Sequence, residues 1–480
     1  MIDNDCILLS YQNCISKLRS IITEDTLVVL KTIKDAGYQA YLVGGYLRDI
    51  LLGRADLHKD VDIATDAFPQ EIMELFNKVI PTGIKHGTVT VIFNDQSYEI
   101  TTFRIDEEYG DLRHPNSVRY VSNIHEDLSR RDFTINALAY DPFNDMLIDD
   151  FQGIEDLKRR IIRTVGNPSL RFNEDALRIF RAIRFSSTLM FEIEEETFKQ
   201  IKKSCDLLKN ISKERIRDEF NKLLLSDKPS FGIELLRQSN ILSFLIPELN
   251  SSFGEQQNEY HLHDVYYHSL YSCDASSKSI VMRIAALFHD VGKPRALYEC
   301  KSSGIQDNVF YNHEVYSEQI ALKFLTEYRY SKADIDIITK LIRYHMFHYT
   351  QSWTDGAVRR FVSKVGEDLI PYLFALRVAD RIGNGKNIGY PAILMTFWDK
   401  ISQVIKENHA LKITDLAIDG NDIMKTFGLK PSKLVGNILK ALLELVLDDQ
   451  ELNKKEILLY KAEEIYKKQI SNLDNFEEIE

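Results

Sequence analysis

The chain has 480 residues, 44% of them hydrophobic, and a formal net charge of −12. This length exceeds what one hydrophobic core supports, so roughly three or four domains are expected. The acidic balance argues against a protein that coats nucleic acid indiscriminately, because phosphate contacts need clustered Lys and Arg. The sequence has no long uncharged apolar run and no signal region at its start. It therefore predicts a cytoplasmic protein with no membrane partner, and it points to no protein partner.

The beginning of the chain alternates between strand-like and helix-like stretches. Strands are predicted at 38–43, 61–64, 88–93 and 98–103, with a helix at 69–76. From about residue 153, helical spacing of Leu, Ile and Phe continues to the C-terminus. The predicted fold class is therefore α+β, with an α/β head followed by an almost wholly helical remainder.

The first motif joins a glycine turn to two carboxylates. Gly44 and Gly45 follow a predicted strand and open a helix, which lets the backbone approach an anion such as a phosphate. Asp60 and Asp62 are two residues apart, so in a strand their side chains point the same way. Adjacent carboxylates repel unless a cation lies between them, and Mg²⁺ prefers oxygen ligands. Either piece alone fits an ordinary turn or strand edge, but together they indicate nucleotidyl transfer.

More polar residues follow in the head. Glu99, on a predicted strand, is either a third metal ligand or a charge on the strand face. The polar stretch 106–116 is predicted to be a mobile loop. After it, Arg131 would contact phosphate, while Asp132 and Asn136 would hydrogen-bond ribose hydroxyls. Pairing of Arg131 with Asp132 at a helix start could explain one of these residues but not the whole cluster.

One amphipathic helix is predicted over 171–185, with Asp175, Arg178 and Arg181 on its exposed face. An Asp and an Arg three apart are commonly a surface ion pair of little consequence. Alternatively, an acceptor beside a donor matches the pairing edges of cytosine and adenine and opposes those of uracil and guanine. The segment 157–185 has eight basic residues against two acidic ones, which would suit an RNA backbone.

These motifs, in this order, resemble those of class II tRNA nucleotidyltransferases, the CCA-adding enzymes. The motifs are Gly44-Gly45-x-x-Arg48-Asp49 with Asp60-x-Asp62, Arg130-Arg131-Asp132-Phe133-x-x-Asn136-Ala137, Glu174-Asp175-x-x-Arg178 and Ser212-x-Glu214-Arg215-x-x-x-Glu219. The resemblance implies a polymerase-β-like head, two Mg²⁺ ions held by the catalytic Asp60 and Asp62, and selection of CTP and ATP by Asp175 and Arg178. It implies as partner a tRNA, bound through its 3′ end and acceptor arm. The nucleotide-binding residues would be Gly44, Gly45, Arg48, Arg131, Asp132, Asn136, Asp175, Arg178 and Arg181.

The resemblance also implies the domain order. The head would occupy 1–152, with its catalytic core at about 38–150, followed by a helical neck at 153–250, a body at 251–385 and a tRNA-binding tail at 386–480. Bacterial poly(A) polymerases share the head and neck, but the stretch 81–90 looks like the CCA type. Enzymes that add only CC lack the flexible loop, which would here span 107–118. An enzyme that adds only the terminal A remains an open alternative.

A second group of candidate residues lies in the second half of the chain. The residue order resembles that of HD-superfamily metal phosphohydrolases and comprises His268, His289, Asp290 and Asp380. This second resemblance implies that the body is an HD-type domain. His313 and His345 could extend the site. Imidazole and carboxylate ligands suit Mn, Ni, Fe or Zn, and a metal-bound water can attack a phosphoester. The chain could thus act chiefly as a phosphohydrolase on RNA or nucleotides, or this domain could be a scaffold for RNA.

Overall fold

The computed structural model describes residues 11–54, 60–109, 115–257, 261–303, 309–386, 392–407 and 410–477, without the side chains of 85, 106–109, 115–118 and 469–477. The chain divides into two compact units. The first comprises Met1–Asn250 and Glu327–Arg329, and the second comprises Ser251–Thr326 and Tyr330–Glu480. Across the described ranges, every helix is either too short or too polar to cross a membrane.

The described strands lie in the first unit. They are β1 (Ala40–Val43), β2 (Asp60–Thr65), β3 (Val79–Gly83), β4 (Thr88–Phe93), β5 (Gln96–Thr102), β6 (Arg104–Tyr109), β7 (Pro115–Tyr120), β8 (Ala139–Asp141), β9 (Met146–Ile148), β10 (Ile161–Ile162) and β11 (Glu192–Ile193). The helices up to the unit boundary are α1 (Tyr11–Ile21), α2 (Glu24–Asp35), α3 (Gly44–Leu51), α4 (Pro69–Leu75), α5 (Ile124–Ser129), α6 (Gly153–Arg159), α7 (Pro168–Glu174), α8 (Leu177–Leu189), α9 (Glu195–Ser204), α10 (Lys213–Leu224), α11 (Pro229–Gln238), α12 (Leu242–Leu245) and α13 (Pro247–Ser251).

Seven strands form one sheet in the order β3-β4-β5-β2-β1-β8-β9. Strands β2 and β5 run parallel, and the other neighbours are antiparallel. Along β2, Val61 and Ile63 are buried in the core. Because side chains alternate across a strand, Asp60 and Asp62 share the opposite face.

The predicted α+β class is confirmed, since a mixed sheet in the head precedes a largely helical remainder. The strand predicted at 88–93 coincides with β4, and the other three predicted strands overlap β1, β2 and β5. The prediction of a polar loop at 106–116 is wrong at both ends, where β6 and β7 form a two-stranded antiparallel ribbon. Charged strands paired only with each other lack the apolar alternation that signals a strand. The tip of the predicted flexible loop, 110–114, lies outside the described residues.

The prediction of one helix over 171–185 is also wrong. Helix α7 ends at Glu174, and α8 begins at Leu177. Between them Asp175 is extended, with φ −139° and ψ 103°. Its carboxylate accepts a hydrogen bond from the Leu177 amide at 3.1 Å. Aspartate favours helix starts because its side chain satisfies an amide that has no partner within the helix.

The second unit is helical throughout its described residues. Its helices are α14 (Val265–Ala275), α15 (Ile280–Phe288), α16 (Lys293–Ser302), α17 (His313–Glu327), α18 (Lys332–Tyr344), α19 (Asp355–Val365), α20 (Ile370–Gly383), α21 (Ala392–Lys406), α22 (Gly420–Phe427), α23 (Lys433–Asp448) and α24 (Lys455–Glu477). Helices α14, α15, α18 and α20 pack against one another. Asp264 caps the start of α14 and Ser331 that of α18.

Candidate active site

A cleft of about 740 Å³ lies in the first unit. Its walls come from the start of α3, strands β2 and β5, and helices α8 and α10. The described charged residues that line it are Arg48, Arg104, Arg130, Arg131, Arg178, Arg181, Arg184, Arg215 and Lys222, against Asp62, Glu99, Asp132 and Asp175. This excess of guanidinium groups suits a ligand with several negative charges, such as a triphosphate.

The glycine turn brings the backbone against two charged side chains. Gly44 has φ +69°, and a Cβ at this position would lie 3.0 Å from Arg131 Nη1 and 3.2 Å from Asp62 Oδ2. Helix α3 starts at Gly44, and Val43 before it contributes no capping side chain within the described region. The first amides of the helix therefore lie next to an arginine and an aspartate at the wall of the cleft.

Three carboxylates gather at the edge of this cleft. In the parallel pair of β2 and β5, Asp62 is the register partner of Glu99, and Asp60 is that of Ser97, whose hydroxyl donates to it. Glu99 keeps an exposed side chain, yet partial burial of its carboxyl and the charges of Asp62 and Asp60 raise its pKa. Oxygen donors that repel one another fit a hard divalent cation such as Mg²⁺. Asp62 and Glu99 line the cleft itself, and Asp60 is exposed at the start of β2.

Four of the predicted nucleotide-binding residues form one hydrogen-bonded network. Asp132 accepts from Asn136 Nδ2 at 3.0 Å and from Arg181 Nη2 at 2.6 Å. Asn136 Oδ1 in turn accepts from Arg48 Nη1 at 2.7 Å, and Arg48 also pairs with Asp49 at 2.7 Å. Burial opposes the charge on Asp132, but Arg181 and Asn136 hold its pKa below the usual range. These bonds fix the shape of the cleft wall.

Arg131 is held less completely than its neighbours. Its Nη2 donates to Asp127 at 3.1 Å, and its Nη1 to the Asn136 carbonyl at 3.4 Å. Its buried Nε finds no acceptor among the described residues. The alternative pairing of Arg131 with Asp132 is wrong, because Asp127 is the carboxylate that Arg131 contacts. The Arg131 Nη1 lies beside Gly44 at the wall of the cleft.

Asp175 and Arg178 both line the cleft, but they do not share an exposed helix face as predicted. Arg178 is buried, 8% exposed, because the break before α8 turns its side chain inward. Its Nη1 donates to Glu174 at 2.6 Å, and its Nη2 to the Arg130 carbonyl at 2.9 Å. Asp175 instead accepts from Arg215 Nη2 at 3.1 Å. Each member of the pair is thus anchored by a different neighbour.

Sequence reasoning gave no role to a further ion pair at the cleft, between Arg184 and Glu219. Arg184 Nε donates to the buried Glu219 at 2.5 Å, and Arg181 lies 3.9 Å from the same carboxyl group. Burial lowers the pKa of Arg184 to about 10 although Glu219 opposes the shift. The Arg184 guanidinium also lies 3.6 Å from the ring centre of Phe185. The sequence signal that could have indicated a role for Arg184 is the three-residue spacing of the arginines on α8. This spacing places them on one side of the helix.

The second unit gathers all of its predicted metal ligands in one buried cluster. His268 lies on α14, His289 and Asp290 follow α15, and Asp380 lies on α20. His268 Nε2 lies 3.1 Å from His289 Nε2, 3.1 Å from Asp290 Oδ2 and 3.2 Å from Asp380 Oδ1. Imidazole and carboxylate donors at such spacings can hold a transition metal.

His313 and His345 lie on the other side of Asp290. Their Nε2 atoms are 3.2 and 3.6 Å from Asp290 Oδ1. Burial lowers the pKa of His345 to about 4. At His289 the carboxylates of Asp290 and Asp380 outweigh burial and raise the pKa to about 10.

A cavity of about 380 Å³ adjoins the cluster. Its lining includes Asp290 and Asp380 together with Lys293, Arg377 and Arg381. Lys293 Nζ lies 2.6 Å from Asp290 Oδ2, and Arg377 Nη1 lies 2.9 Å from Asp380 Oδ2. Basic side chains beside a candidate metal site are suited to an anionic ligand such as a phosphate.

Three family models match the chain in succession. They are "Poly A polymerase head domain" at 40–163, "Probable RNA and SrmB- binding site of polymerase A" at 190–253 and "tRNA nucleotidyltransferase domain 2" at 309–462.

Two similar proteins and one solved structure are all CCA-adding enzymes. The CCA-adding enzyme of Ligilactobacillus salivarius is 35% identical over 444 residues, which cover 92% of this chain and 97% of that enzyme. The CCA-adding enzyme of Lactobacillus helveticus is 57% identical over 195 residues, so this alignment spans 41% of the chain and about half, 48%, of that enzyme. The solved structure of the Bacillus stearothermophilus CCA-adding enzyme in complex with CTP superposes with a TM-score of 0.67 at 29% identity, covering 93% of this chain and 98% of that one.

Proposed function

The chain belongs to the family of CCA-adding enzymes, and from this membership we propose that it adds C, C and A to the 3′ end of tRNA without a nucleic-acid template. CTP and ATP are its nucleotide substrates. In the structure, one observation gives the main support for this proposal. Asp175 and Arg178 line the same arginine-rich cleft as Gly44 and Asp62. A base-reading pair and a phosphate-binding turn thus face one ligand.

In the reaction, the 3′ oxygen of the tRNA bonds to the α-phosphorus of the bound nucleotide, and the bond from that phosphorus to pyrophosphate breaks. The hydroxyl gives up its proton to solvent water, and pyrophosphate departs. Enzymes of this family depend on a divalent metal, and Asp60, Asp62 and Glu99 are the residues that would hold Mg²⁺ here. When bound, two such ions supply positive charge that favours the ionised hydroxyl and the departing pyrophosphate.

Each side chain has a distinct task. The Gly45 amide and Arg131 hold the phosphates, and Gly44, whose own amide donates to the Leu138 carbonyl, lets a phosphate approach the backbone closely. Asp132 is assigned to the ribose, and its carboxylate already accepts four hydrogen bonds, from the Phe133 amide, Asn136 Nδ2 and Arg181 Nε and Nη2. Asn136, together with Arg48 and Arg181, keeps that carboxylate in place.

The base is read by Asp175 and Arg178. The carboxylate accepts from the amino group of cytosine or adenine, and the guanidinium donates to the adjoining ring nitrogen. Uracil and guanine present a carbonyl and an N–H in these places, so donor would face donor and acceptor would face acceptor. Glu174 accepts a hydrogen bond from Arg178, and Arg215 donates one to Asp175, so each of the two proposed base-reading side chains has its own anchor.

Addition of labelled nucleotides to tRNA that ends before, within or after the CC tests this proposal. We expect CTP to enter the shorter tRNAs and ATP to enter tRNA that ends in CC. The double change Asp60→Ala and Asp62→Ala should abolish addition, whereas Asp206→Ala, at an exposed surface position, should not. Equal use of UTP or GTP would contradict the reading of the base, and addition of A alone would favour an A-adding enzyme.

A second candidate function belongs to the second unit, where the His/Asp cluster adjoins a cavity with Lys293 and Arg377. We propose a metal-dependent phosphohydrolase acting on the terminal or 2′ phosphate of RNA or a nucleotide. The oxygen of a water bonds to phosphorus, the ester P–O bond breaks, and the alcohol leaves with a proton from the water. His268, His289, Asp290 and Asp380 would hold the metal, which supplies Lewis-acid chemistry when bound.

Release of inorganic phosphate from a nucleoside 2′-phosphate in the presence of Mn²⁺ tests this second function. We expect His289→Ala to lose the release and the double change Asp60→Ala and Asp62→Ala to keep it. His348→Ala is the matched control, because His348 is an exposed histidine of the same unit. If none of the proteins releases phosphate, the unit is a scaffold and not a hydrolase.

A further inference from the structure

We propose that Arg184 is a further residue that binds the triphosphate of the incoming nucleotide, and that the ring of Phe185 positions its guanidinium group. The direction of the bound nucleotide rests on the proposed function, which assigns Arg178 to the base and Asp132 to the ribose. The sequence alone placed Arg184 only among the eight basic residues of 157–185, which would suit an RNA backbone.

Arg184 keeps more of its hydrogen-bond donors for a ligand than Arg48 and Arg181 do. Arg48 uses all three of its side-chain nitrogens in hydrogen bonds within the protein. Arg181 uses two of them, Nε and Nη2. Arg184 uses only Nε, which donates to Glu219 at 2.5 Å, and its Nη atoms make no hydrogen bond with the described residues. Because Arg184 lines the cleft, both Nη groups can donate to a ligand there.

One aromatic ring gathers three guanidinium groups at this wall. Phe185 is buried and lines the cleft. The guanidinium carbons of Arg184, Arg48 and Arg181 lie 3.6, 5.0 and 5.3 Å, respectively, from the centre of its ring. Phe133 packs edge-on against the same ring, with 5.7 Å between the ring centres. The face of a ring attracts a cation without neutralising its charge, so Phe185 fixes Arg184 and leaves its charge to a ligand.

The carboxylate that pairs with Arg184 is shared with other cations. Glu219 also lies 3.5 Å from Lys222 Nζ and 3.9 Å from Arg181 Nη1. Burial and the charges of Arg181 and Arg48 lower the pKa of Arg184 to about 10, although Glu219 opposes the shift. Glu219 therefore offsets only part of the local positive charge. An anion with several charges, such as a triphosphate, would stabilise the guanidinium group of Arg184 further.

The order of the side chains along α8 matches the order of the parts of a nucleotide. Arg178, Arg181 and Arg184 follow one another at three-residue steps, each of about 4.5 Å along the helix axis. Arg178 is the proposed reader of the base, and Arg181 pairs with Asp132, which is assigned to the ribose. Arg184 comes next in the same direction, as the phosphates follow the ribose in a nucleotide. This order favours the triphosphate over a phosphate of the acceptor RNA.

Displacement of labelled CTP by inorganic tripolyphosphate tests the contact without a base or a ribose on the probe. Equilibrium dialysis of the full chain, without tRNA and at constant free Mg²⁺, gives the Kd for tripolyphosphate. We expect Arg184→Gln to raise this Kd and the KM for CTP by at least about tenfold, because a charge-assisted contact is lost. The KM for tRNA should not change. Arg237→Gln is the matched control, because Arg237 pairs with Glu234 on α11.

Substitutions of Phe185 separate positioning of Arg184 from packing of α8. Phe185→Leu keeps a large apolar side chain but loses the ring, so it should raise the Kd for tripolyphosphate and the KM for CTP. Phe185→Tyr keeps the ring and should keep both constants. Phe180→Leu is the control, since Phe180 is a buried phenylalanine of the same helix whose ring packs against Phe220. A merely structural role would lower stability in both leucine variants and leave the Kd for tripolyphosphate unchanged.

Unchanged binding of tripolyphosphate by Arg184→Gln would overturn the proposal. A higher KM for tRNA without a higher KM for CTP would also overturn it, because Arg184 would then contact the acceptor RNA. If circular dichroism shows that Arg184→Gln does not fold, Arg184→Lys takes its place. Lysine keeps a charge for Glu219 but has no second donor group, so unchanged constants in this variant would contradict the contact. A chain that binds tripolyphosphate through Arg184 yet adds no CTP would support the contact and contradict the proposed function.

Discussion

Under the proposed function, Arg215 would act on the base through Asp175, because its Nη2 donates to this carboxylate at 3.1 Å. A side chain that reads a hydrogen-bonding edge must keep one orientation, because a rotated carboxylate accepts from either edge with similar ease. Arg178 has the same kind of support from Glu174 and the Arg130 carbonyl. If Asp175 and Arg178 read the base as proposed, its selection would also depend on neighbours that hold these two side chains.

We expect Arg215→Ala to lower kcat/KM for CTP and ATP by about 30-fold, equivalent to about 2 kcal/mol for a lost charge-assisted hydrogen bond. Misincorporation of UTP and GTP should rise at the same time, which a merely structural loss would not produce. Single-nucleotide addition to tRNA ending before the CC measures both effects. Arg159→Ala is the control, because Arg159 pairs with Glu155 at the surface. Unchanged selectivity in Arg215→Ala would show that Asp175 needs no anchor.

Glu99 gives a prediction about stability and pH. Partial burial and the charges of Asp62 and Asp60 raise its folded pKa above the unfolded value. Folding therefore favours the protonated form, so this contribution is fully present below the unfolded pKa and is lost as pH rises through the folded pKa. Without Mg²⁺, Glu99→Gln should raise the melting temperature at pH 8 but not at pH 4. The gain stays below about 1 kcal/mol, because water screens an exposed side chain.

At pH 8, Mg²⁺ should raise the melting temperature of the unchanged protein more than that of Glu99→Gln. The ion neutralises the repulsion among the three carboxylates, so the unchanged protein should gain more in melting temperature than Glu99→Gln does. Glu192→Gln is the matched control, since Glu192 is also an exposed glutamate on a strand. Equal gains in all three proteins would mean that Glu99 takes no part in binding the ion.

At the scale of elements, local patterns predicted the strands that border a core. Strands β2 and β4 have buried alternate residues, so their positions were visible in the sequence. The ribbon of β6 and β7 pairs only with itself and lacks that pattern. The break between α7 and α8 follows from one side-chain hydrogen bond at Asp175, which outweighs an otherwise continuous helical periodicity.

The candidate sites likewise contain some residues that local sequence patterns predict and some contacts that they do not. Residues in short motifs, such as Asp60 and Asp62, could be named from spacing alone. The partners of Asp175 and Arg184 could not, because Arg215 and Glu219 lie 40 and 35 residues further along the chain. The division of the histidines around Asp290 was likewise invisible, since it depends on how separate helices pack.

The start of α3 provides a matched pair of glycines. Gly44 and Gly166 both have φ +69°, but only at Gly44 would a Cβ meet other atoms within 4 Å, namely those of Arg131 and Asp62. Alanine at either position should cost about 1 kcal/mol in stability through the left-handed backbone. We expect Gly44→Ala alone to lower nucleotide addition, by at least about tenfold. Melting temperatures and initial rates measure the two effects, and equal rates in both variants would contradict the close approach.

At the scale of the whole molecule, the chain has two compact units, each with its own buried core and its own candidate ligand site. A chain with separate cores commonly departs from two-state unfolding. A ligand that binds only the folded form of one unit stabilises that unit by mass action, by about 2.7 kcal/mol at one hundred times its dissociation constant. Each unit should therefore be stabilised only by its own ligand.

Calorimetry of the full chain should accordingly show two unfolding transitions. We expect CTP with Mg²⁺ to raise one transition by several degrees. In a chain with Asp60→Ala and Asp62→Ala, which removes divalent-ion ligands from the head, we expect Mn²⁺ without nucleotide to raise the other. Arg178→Ala should lose the response to CTP and keep that to Mn²⁺, whereas Asp290→Ala should do the reverse. His348→Ala should keep both. A single transition whose temperature rises with either ligand would mean that the two units unfold together. Loss of both ligand responses in either variant would mean that the two sites are energetically linked.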